Sequence, residues 1–194
     1  MSKTPTCTPD KTYSFTPKEI TTPNKDCPGI SRTVFTHVTN LHSLLCDWEK
    51  LKEKGTKTCK GVSALKLYEC TDDYYPHQLE PLMNLLLEAL KGLQNIVDSV
   101  HIINSQLQAL SQLEKTTIGV IFTWSAQRIS TAVNDIYNAL CKEIKLKQTI
   151  TENLAHCRNE SLIEVYVSAW ELEAYYSTDM SAYLFSDIGL SGVT

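Results

Sequence analysis

The sequence predicts a mainly α-helical fold, an antiparallel helical bundle of about four helices with coiled-coil-like packing behind a disordered N-terminal tail. Three observations carry that prediction. Apolar residues between Leu79 and Leu113 recur at heptad spacing, which buries one stripe of a long helix. Two further stretches, Val34 to Leu51 and Ile129 to Leu154, place apolar residues at steps of three and four. Five of the seven prolines and seven threonines fall within the first 30 residues, where no apolar period exists, so that segment lacks the surface needed to order itself.

A chain of 194 residues that is 42% hydrophobic and 21% charged can bury one core, and is short for two. The division expected is a Thr/Pro-rich tail over 1–30, a helical bundle domain over 31–176 and a flexible C-terminal segment over 177–194. The first helix runs from about Arg32 to Lys54, with Val34, Val38, Leu41, Leu45, Trp48 and Leu51 on one stripe, Trp48 as its deepest anchor and Gly55 as its stop. Thr56 to Pro76 reads as a connector with a short helix around Val62 to Leu67.

The second helix holds Leu79, Leu86, Leu93, Val100 and Leu107 at heptad positions a, and Leu82, Ala89, Ile96, Ile103 and Leu110 at positions d. Leu85, Leu87, Leu90, Val97 and Ile102 widen this stripe beyond a two-helix seam, so the helix should meet more than one neighbour. A break follows over Thr116 to Thr123, after which Ser125 can cap a third helix reaching about His156. A fourth helix, about Glu160 to Tyr175, carries Leu162, Val165, Ala169 and Leu172 on one face, with Tyr166 and Trp170 beside them.

Several functions are disfavoured. The net charge is −4, and the lysines and arginines are scattered, which gives no footprint for direct nucleic-acid binding. The N-terminus has no apolar core of a secretory signal and no stretch is apolar enough to span a bilayer, so a soluble, intracellular protein is expected. Seven cysteines at irregular spacing fit free thiols rather than a disulfide framework or a metal cage, and Asn159-Glu160-Ser161 is then no glycosylation site.

No two glycines are separated by a single residue, and GxSxG and HExxH are missing, so no dinucleotide, P-loop, hydrolase or zinc-protease motif is present. His156 beside Cys157 reads as a helix-terminal pair rather than a metal site. Glu143 and Glu152, flanked by Lys142, Lys145 and Lys147, read as a solvated, salt-bridged face rather than an acid and base pair. The expectation is a non-enzyme with no cofactor, no metal and no small-molecule substrate.

The tail carries the clearest regulatory signal. Thr8-Pro9-Asp10-Lys11 and Thr22-Pro23-Asn24-Lys25 place proline after the hydroxyl residue and a base at the third following position, the arrangement cyclin-dependent kinases prefer; Thr16-Pro17 is a plainer proline-directed site. Proline keeps such a segment extended, and a phosphate on Thr8, Thr16 or Thr22 would add about two negative charges that a basic surface can read. For partner binding, the candidates are Trp124 and Trp170 as aromatic anchors, and Leu86, Leu93, Ile96, Val100 and Ile103 as the seam for a partner helix. A self-associating structural coiled coil, a tether or a kinetochore-type subunit, is the competing reading, because no Asn or Lys interrupts the a and d positions.

Longer words in the sequence resemble a known family. Leu45-Cys46-Asp47-Trp48-Glu49-Lys50-Leu51, then Gly55 and Ala64-Leu65-Lys66, are similar to the first helical region of the cyclin-dependent kinase 2-interacting protein family. The likeness resumes at Thr123-Trp124 and continues through Tyr137, Lys142-Glu143, Leu146-Lys147, Thr149, Glu152, Leu154-Ala155-His156, Leu162, Tyr166, Ser168 and Trp170. It covers roughly residues 45–175.

The resemblance implies a non-enzymatic adaptor, nuclear and cytoplasmic, that binds a cyclin-dependent kinase and an origin-firing kinase and links DNA replication to a checkpoint kinase adaptor. It also implies a subunit role beside AAA+ ATPases and a small helical protein, in replisome turnover and maturation of the large ribosomal subunit. The chain departs from the family's vertebrate pattern before Trp124, where a polar insertion is missing, and at its C-terminal end, so contacts made by that insertion do not carry over.

Overall fold

Helix α1 spans Ile30–Tyr68, 39 residues without interruption. The computed structural model describes residues 29–68, 77–113 and 124–187, and in these the chain adds α2 (Leu79–Leu113), α3 (Ala126–Leu154), α4 (Glu160–Leu172) and α5 (Asp179–Asp187). The tail with Thr8, Thr16 and Thr22, and the break over Thr116 to Thr123, lie outside the described residues. Among the described residues there is no sheet, and no helix is long and apolar enough to cross a membrane.

The stripe on α1 does not stop at Gly55 as predicted. Val34, Val38, Leu41, Leu45 and Trp48 are followed at the same spacing by the buried Thr56, Cys59, Val62 and Lys66. The short helix expected around Val62 to Leu67 is the end of the same helix. Gly55 is a packing position, not a cap: a Cβ there would stand 2.6 Å from Trp170 Cε2 and Nε1. Losing a side chain in mid-helix costs about 1 kcal/mol of propensity, and the close approach of an indole compensates.

Helix α2 is the central element, packed on α1 along one side and on α3 along the other. Its a positions Leu79, Leu86, Leu93, Val100 and Leu107 are all buried, as are Ala89, Ile96 and Ile103, while Val97 and Asn104 extend the buried arc. Pairings fix the directions. Gly61 lies opposite Leu82 and Gly92 opposite Leu51, so α1 and α2 are antiparallel. Asn104 meets Asn134 and His101 meets Tyr137, so α2 and α3 are antiparallel as well.

Ser125 caps α3 by accepting a hydrogen bond from the Arg128 backbone N–H at 3.2 Å, and Asn159 does the same for α4 through Leu162 N–H at 3.0 Å. Ile129, Val133, Ile136, Leu140, Ile144 and Leu154 face the core as expected. The helix ends two residues short of His156.

The fourth helix departs from expectation in its length and its sequel. It ends at Leu172, because Glu173 takes a positive φ of 52° and turns the chain. Ile163 and Trp170 point inward while Leu162, Val165 and Leu172 are exposed. The slot above Gly55 decides this, since turning the Leu162 face inward would withdraw Trp170 from it.

Beyond the corner, residues 179–187 form a helix where the sequence predicts a flexible segment. Leu184 and Phe185 are fully buried, and the Phe185 ring meets His42 edge-on at 4.8 Å. Contacts from Lys60 to Glu171, Trp48 to Tyr176 and His42 to Phe185 descend α1 in order. The two short helices thus run antiparallel to α1 as a broken fourth strut, α4 also packing on α3 and α5 on α3.

Candidate functional site

The residues read as partner contacts do not gather on an open face. Leu86, Leu93 and Val100 are fully buried, Ile96, Ile103 and Trp124 nearly so, and Trp170 is sealed between α1, α3 and α4. The heptad stripe is consumed by the chain's own helices α1 and α3. A partner reaching these side chains would have to displace a helix of this protein. The same packing occupies the seam that a self-pairing coiled coil would use.

What the fold does assemble is a buried ionic cluster at the α4–α5 corner. Trp48 Nε1 donates to Glu173 Oε1 at 2.7 Å, and Lys52 Nζ donates to Glu173 Oε2 at 3.1 Å while also pairing with Glu49. From α3, Lys147 Nζ donates to the Trp170 carbonyl at 2.8 Å and lies 3.4 Å from Glu143 Oε1 and 3.9 Å from Glu173 Oε1. Glu143 Oε2 accepts the Tyr175 backbone N–H at 2.9 Å. The positive φ at Glu173 aims its carboxylate back between α1 and α3, so one strained residue lets two lysines and an indole hold the corner.

Burial dominates the electrostatics. It lowers the pKa of Lys147, with Glu173 and Glu143 opposing, and it raises that of Glu173 against the Trp48 hydrogen bond and the two lysines. The sequence reading of Glu143 and Lys147 as part of a solvated face is corrected here: both are fully buried, while Lys142, Lys145 and Glu152, which accepts from Gln148 at 2.8 Å, are exposed. The signal existed, because Leu140, Glu143, Lys147, Thr151 and Leu154 continue the buried stripe of α3 at steps of three and four. The reach from Lys52 to Glu173 leaves no local trace, since 121 positions separate them.

The cluster's charges are paired among its own members, although Glu49 Oε1 and Glu143 Oε1 are buried without a hydrogen bond, the latter 3.4 Å from Lys147 Nζ. Beside it, Glu49, Lys52, Thr56 and Glu171 line an open groove of about 380 Å³, and Lys60 pairs with Glu171 across α1 and α4 at 2.8 Å. Cys59 is buried and its thiol is pushed up to about 12, which keeps it protonated. No group of three or more His, Cys, Asp or Glu side chains among the described residues could hold a metal ion. The cluster's evident work is to hold α4 and α5 against the long helices. At the helix end, Lys66 Nζ similarly donates to the Leu154 and Ala155 carbonyls, at 2.9 and 2.7 Å, closing the C-terminus of α3.

Holding the corner fixes an outer surface. Leu162, Val165 and Leu172 on α4, Tyr175 in the bend after it, and Met180 and Tyr183 on α5 are exposed large apolar side chains. Those on α2, Leu85, Leu87, Ile102 and Leu113, are spread along a much longer helix. The sequence places Leu162, Val165 and Leu172 on one face and leaves its direction open; the structure turns that face outward.

No protein-family model matches the chain. Among curated proteins it is similar to the human cyclin-dependent kinase 2-interacting protein, 24% identical over 193 residues that cover 85% of this chain and 91% of the relative. The mouse protein of that name is 25% identical over 86% of this chain and 92% of its own length, and the bovine one 24% identical over 79% and 86%. The relationship is distant and consistent, one family returned across nearly the whole chain, and it is the family that the motifs around Trp48 and Trp124 resemble.

Proposed function

We infer, from this kinship with the cyclin-dependent kinase 2-interacting proteins, that the chain is an interaction subunit rather than an enzyme, and that a cyclin-dependent kinase is among its partners. The observation that carries the reading is the likeness along nearly the full length of proteins named for a binding partner. The fold is in keeping with it. Its buried ionic cluster is engaged in internal structure, while an apolar face on α4 is exposed.

The finer role proposed is an adaptor of the nucleus and cytoplasm that also meets an origin-firing kinase and a checkpoint kinase adaptor. It would sit in a complex with AAA+ ATPases and a small helical subunit, serving replisome turnover and large ribosomal subunit maturation, with the ATPases supplying hydrolysis. The support for these is the motif resemblance over residues 45–175. In the tail, Thr8 and Thr22 are the proposed phosphate acceptors. Kinase labelling of a Thr8→Ala/Thr22→Ala protein should drop sharply, and undiminished incorporation would remove both sites from the account.

The test is affinity purification of the tagged chain at its natural level, with stoichiometry read by mass spectrometry. Recovery with a cyclin-dependent kinase, or with AAA+ ATPases and a second small helical protein, supports the adaptor. Recovery of the chain alone, or only with copies of itself, overturns it.

A further inference from the structure

We propose that the outer face of α4 and the α4–α5 corner is a docking surface for a basic amphipathic helix of another protein, a proposal that rests on the adaptor reading and names the surface it uses. Helix α4 is apolar on two sides. Ile163 and Trp170 fill the core, and Leu162, Val165 and Leu172 recur three and seven residues apart on a separate, exposed stripe continued by Tyr175. A helix that is apolar on both sides of its axis is suited to lie between two layers, and this chain, through α1 and α3, covers only the Ile163 and Trp170 side.

The charge around the stripe selects the occupant. From Asn159 to Ser186 there are five carboxylates, Glu160, Glu164, Glu171, Glu173 and Asp179, and no lysine, arginine or histidine. Glu171 and Glu173 are taken by Lys60, Lys52 and Lys147. Glu160 and Glu164, one turn apart and exposed, leave an acidic ridge beside the apolar stripe, and Asp179 adds a third exposed carboxylate past the corner. An apolar stripe flanked by unpaired carboxylates complements a helix with leucine-like anchors and a lysine- or arginine-bearing flank.

A second copy of this chain is disfavoured on the same face, because an isologous contact would set these carboxylates against their own images. An anionic membrane surface is disfavoured for the same sign reason. The chain's own first 28 residues hold five prolines and make a poor helix.

The experiment places a photo-crosslinking amino acid at Val165, at Leu172 and, as a control, at the exposed Gln94 of α2 in the tagged full-length chain in its own cells, and maps the crosslinked peptides. The expected product at 165 and 172, and not at 94, is a segment of another protein with apolar residues at helical spacing and a basic flank. In parallel, Val165→Ser/Leu172→Ser should lower recovery of that partner about tenfold or more, with helix content and melting temperature unchanged because both side chains are exposed. Glu160→Gln/Glu164→Gln should weaken it less and flatten its salt dependence.

Crosslinks to residues 1–28, to a second copy, to lipid or to an acidic or non-helical segment overturn the proposal. So does a partner recovered equally by the serine variant while positions 165 and 172 stay silent, an outcome that leaves the adaptor reading standing. A wild-type chain with no stoichiometric partner at all overturns both.

Discussion

Three glycines in the long helices offer a graded test of the packing, because a methyl group placed on each meets a different obstacle. In an isolated helix each Gly→Ala change would stabilise by about 1 kcal/mol. At Gly61 the new Cβ would lie 3.5 and 3.7 Å from the Leu82 methyls, ordinary contact, so the propensity gain should survive. At Gly92 it would stand 2.8 Å from Leu51 Cδ1, the end of a half-buried and adjustable side chain, and the gain should largely cancel. At Gly55 it would press into the Trp170 indole, 2.6 Å from Cε2 and Nε1, on a ring that is fully buried and whose Nε1 donates to the Lys52 carbonyl at 3.3 Å.

Overpacking of a well-filled site costs about 1–3 kcal/mol, and displacing the indole also removes a hydrogen bond of about 1 kcal/mol. Gly55→Ala should therefore destabilise by a net ~1–3 kcal/mol while Gly61→Ala stabilises by up to about 1 kcal/mol. Urea unfolding followed by circular dichroism measures both, as opposite shifts of the midpoint at constant slope. Equal midpoints for the Gly55 and Gly61 variants would refute the assignment of Gly55 to close packing, and with it the explanation for the unbroken α1.

Other perturbations probe the corner and the core. Lys147→Met should destabilise by about 3–5 kcal/mol, because it leaves Glu143 buried without its cation and takes one of two lysines from Glu173, and adding Glu143→Gln should return part of the loss in the same unfolding assay. Burial raises the Glu173 pKa above its ordinary 4.5, so the native state holds that proton more tightly than the unfolded chain. Its contribution to stability is therefore present below pH 4.5 and is lost as pH rises through the native value; Glu173→Gln should remove that segment of the pH dependence, and an unchanged profile would count against the burial argument. Leu93→Asp, at a fully buried position, should abolish cooperative unfolding, whereas Leu87→Asp on the exposed side of α2 should shift stability by no more than about 0.5 kcal/mol; matching behaviour of the two would refute the placement of α2.

The sequence by itself determined the helical class, the limits of α2, the cap that starts α3 and the order of the long helices. These features rest on signals within a few residues: a heptad repeat from Leu79 to Leu110, a Ser125 hydroxyl beside the first turn, apolar steps of three and four. The tertiary structure decided what such signals leave open. Gly55 has the sequence of a helix end and becomes mid-helix because an indole 115 positions away needs its space, as Trp170 over Gly55 shows. Leu162, Val165 and Leu172 form a correct stripe whose direction depends on Trp170 having the better slot.

Glu143 and Lys147 look solvated beside other charges until a carboxylate from beyond the α4 corner joins them, and Leu184 and Phe185 order a short helix only because α1 and α3 offer them a surface. Local spacing selects which residues share a face. Which face is buried depends on competition between distant surfaces, and that competition is settled only when the helices pack.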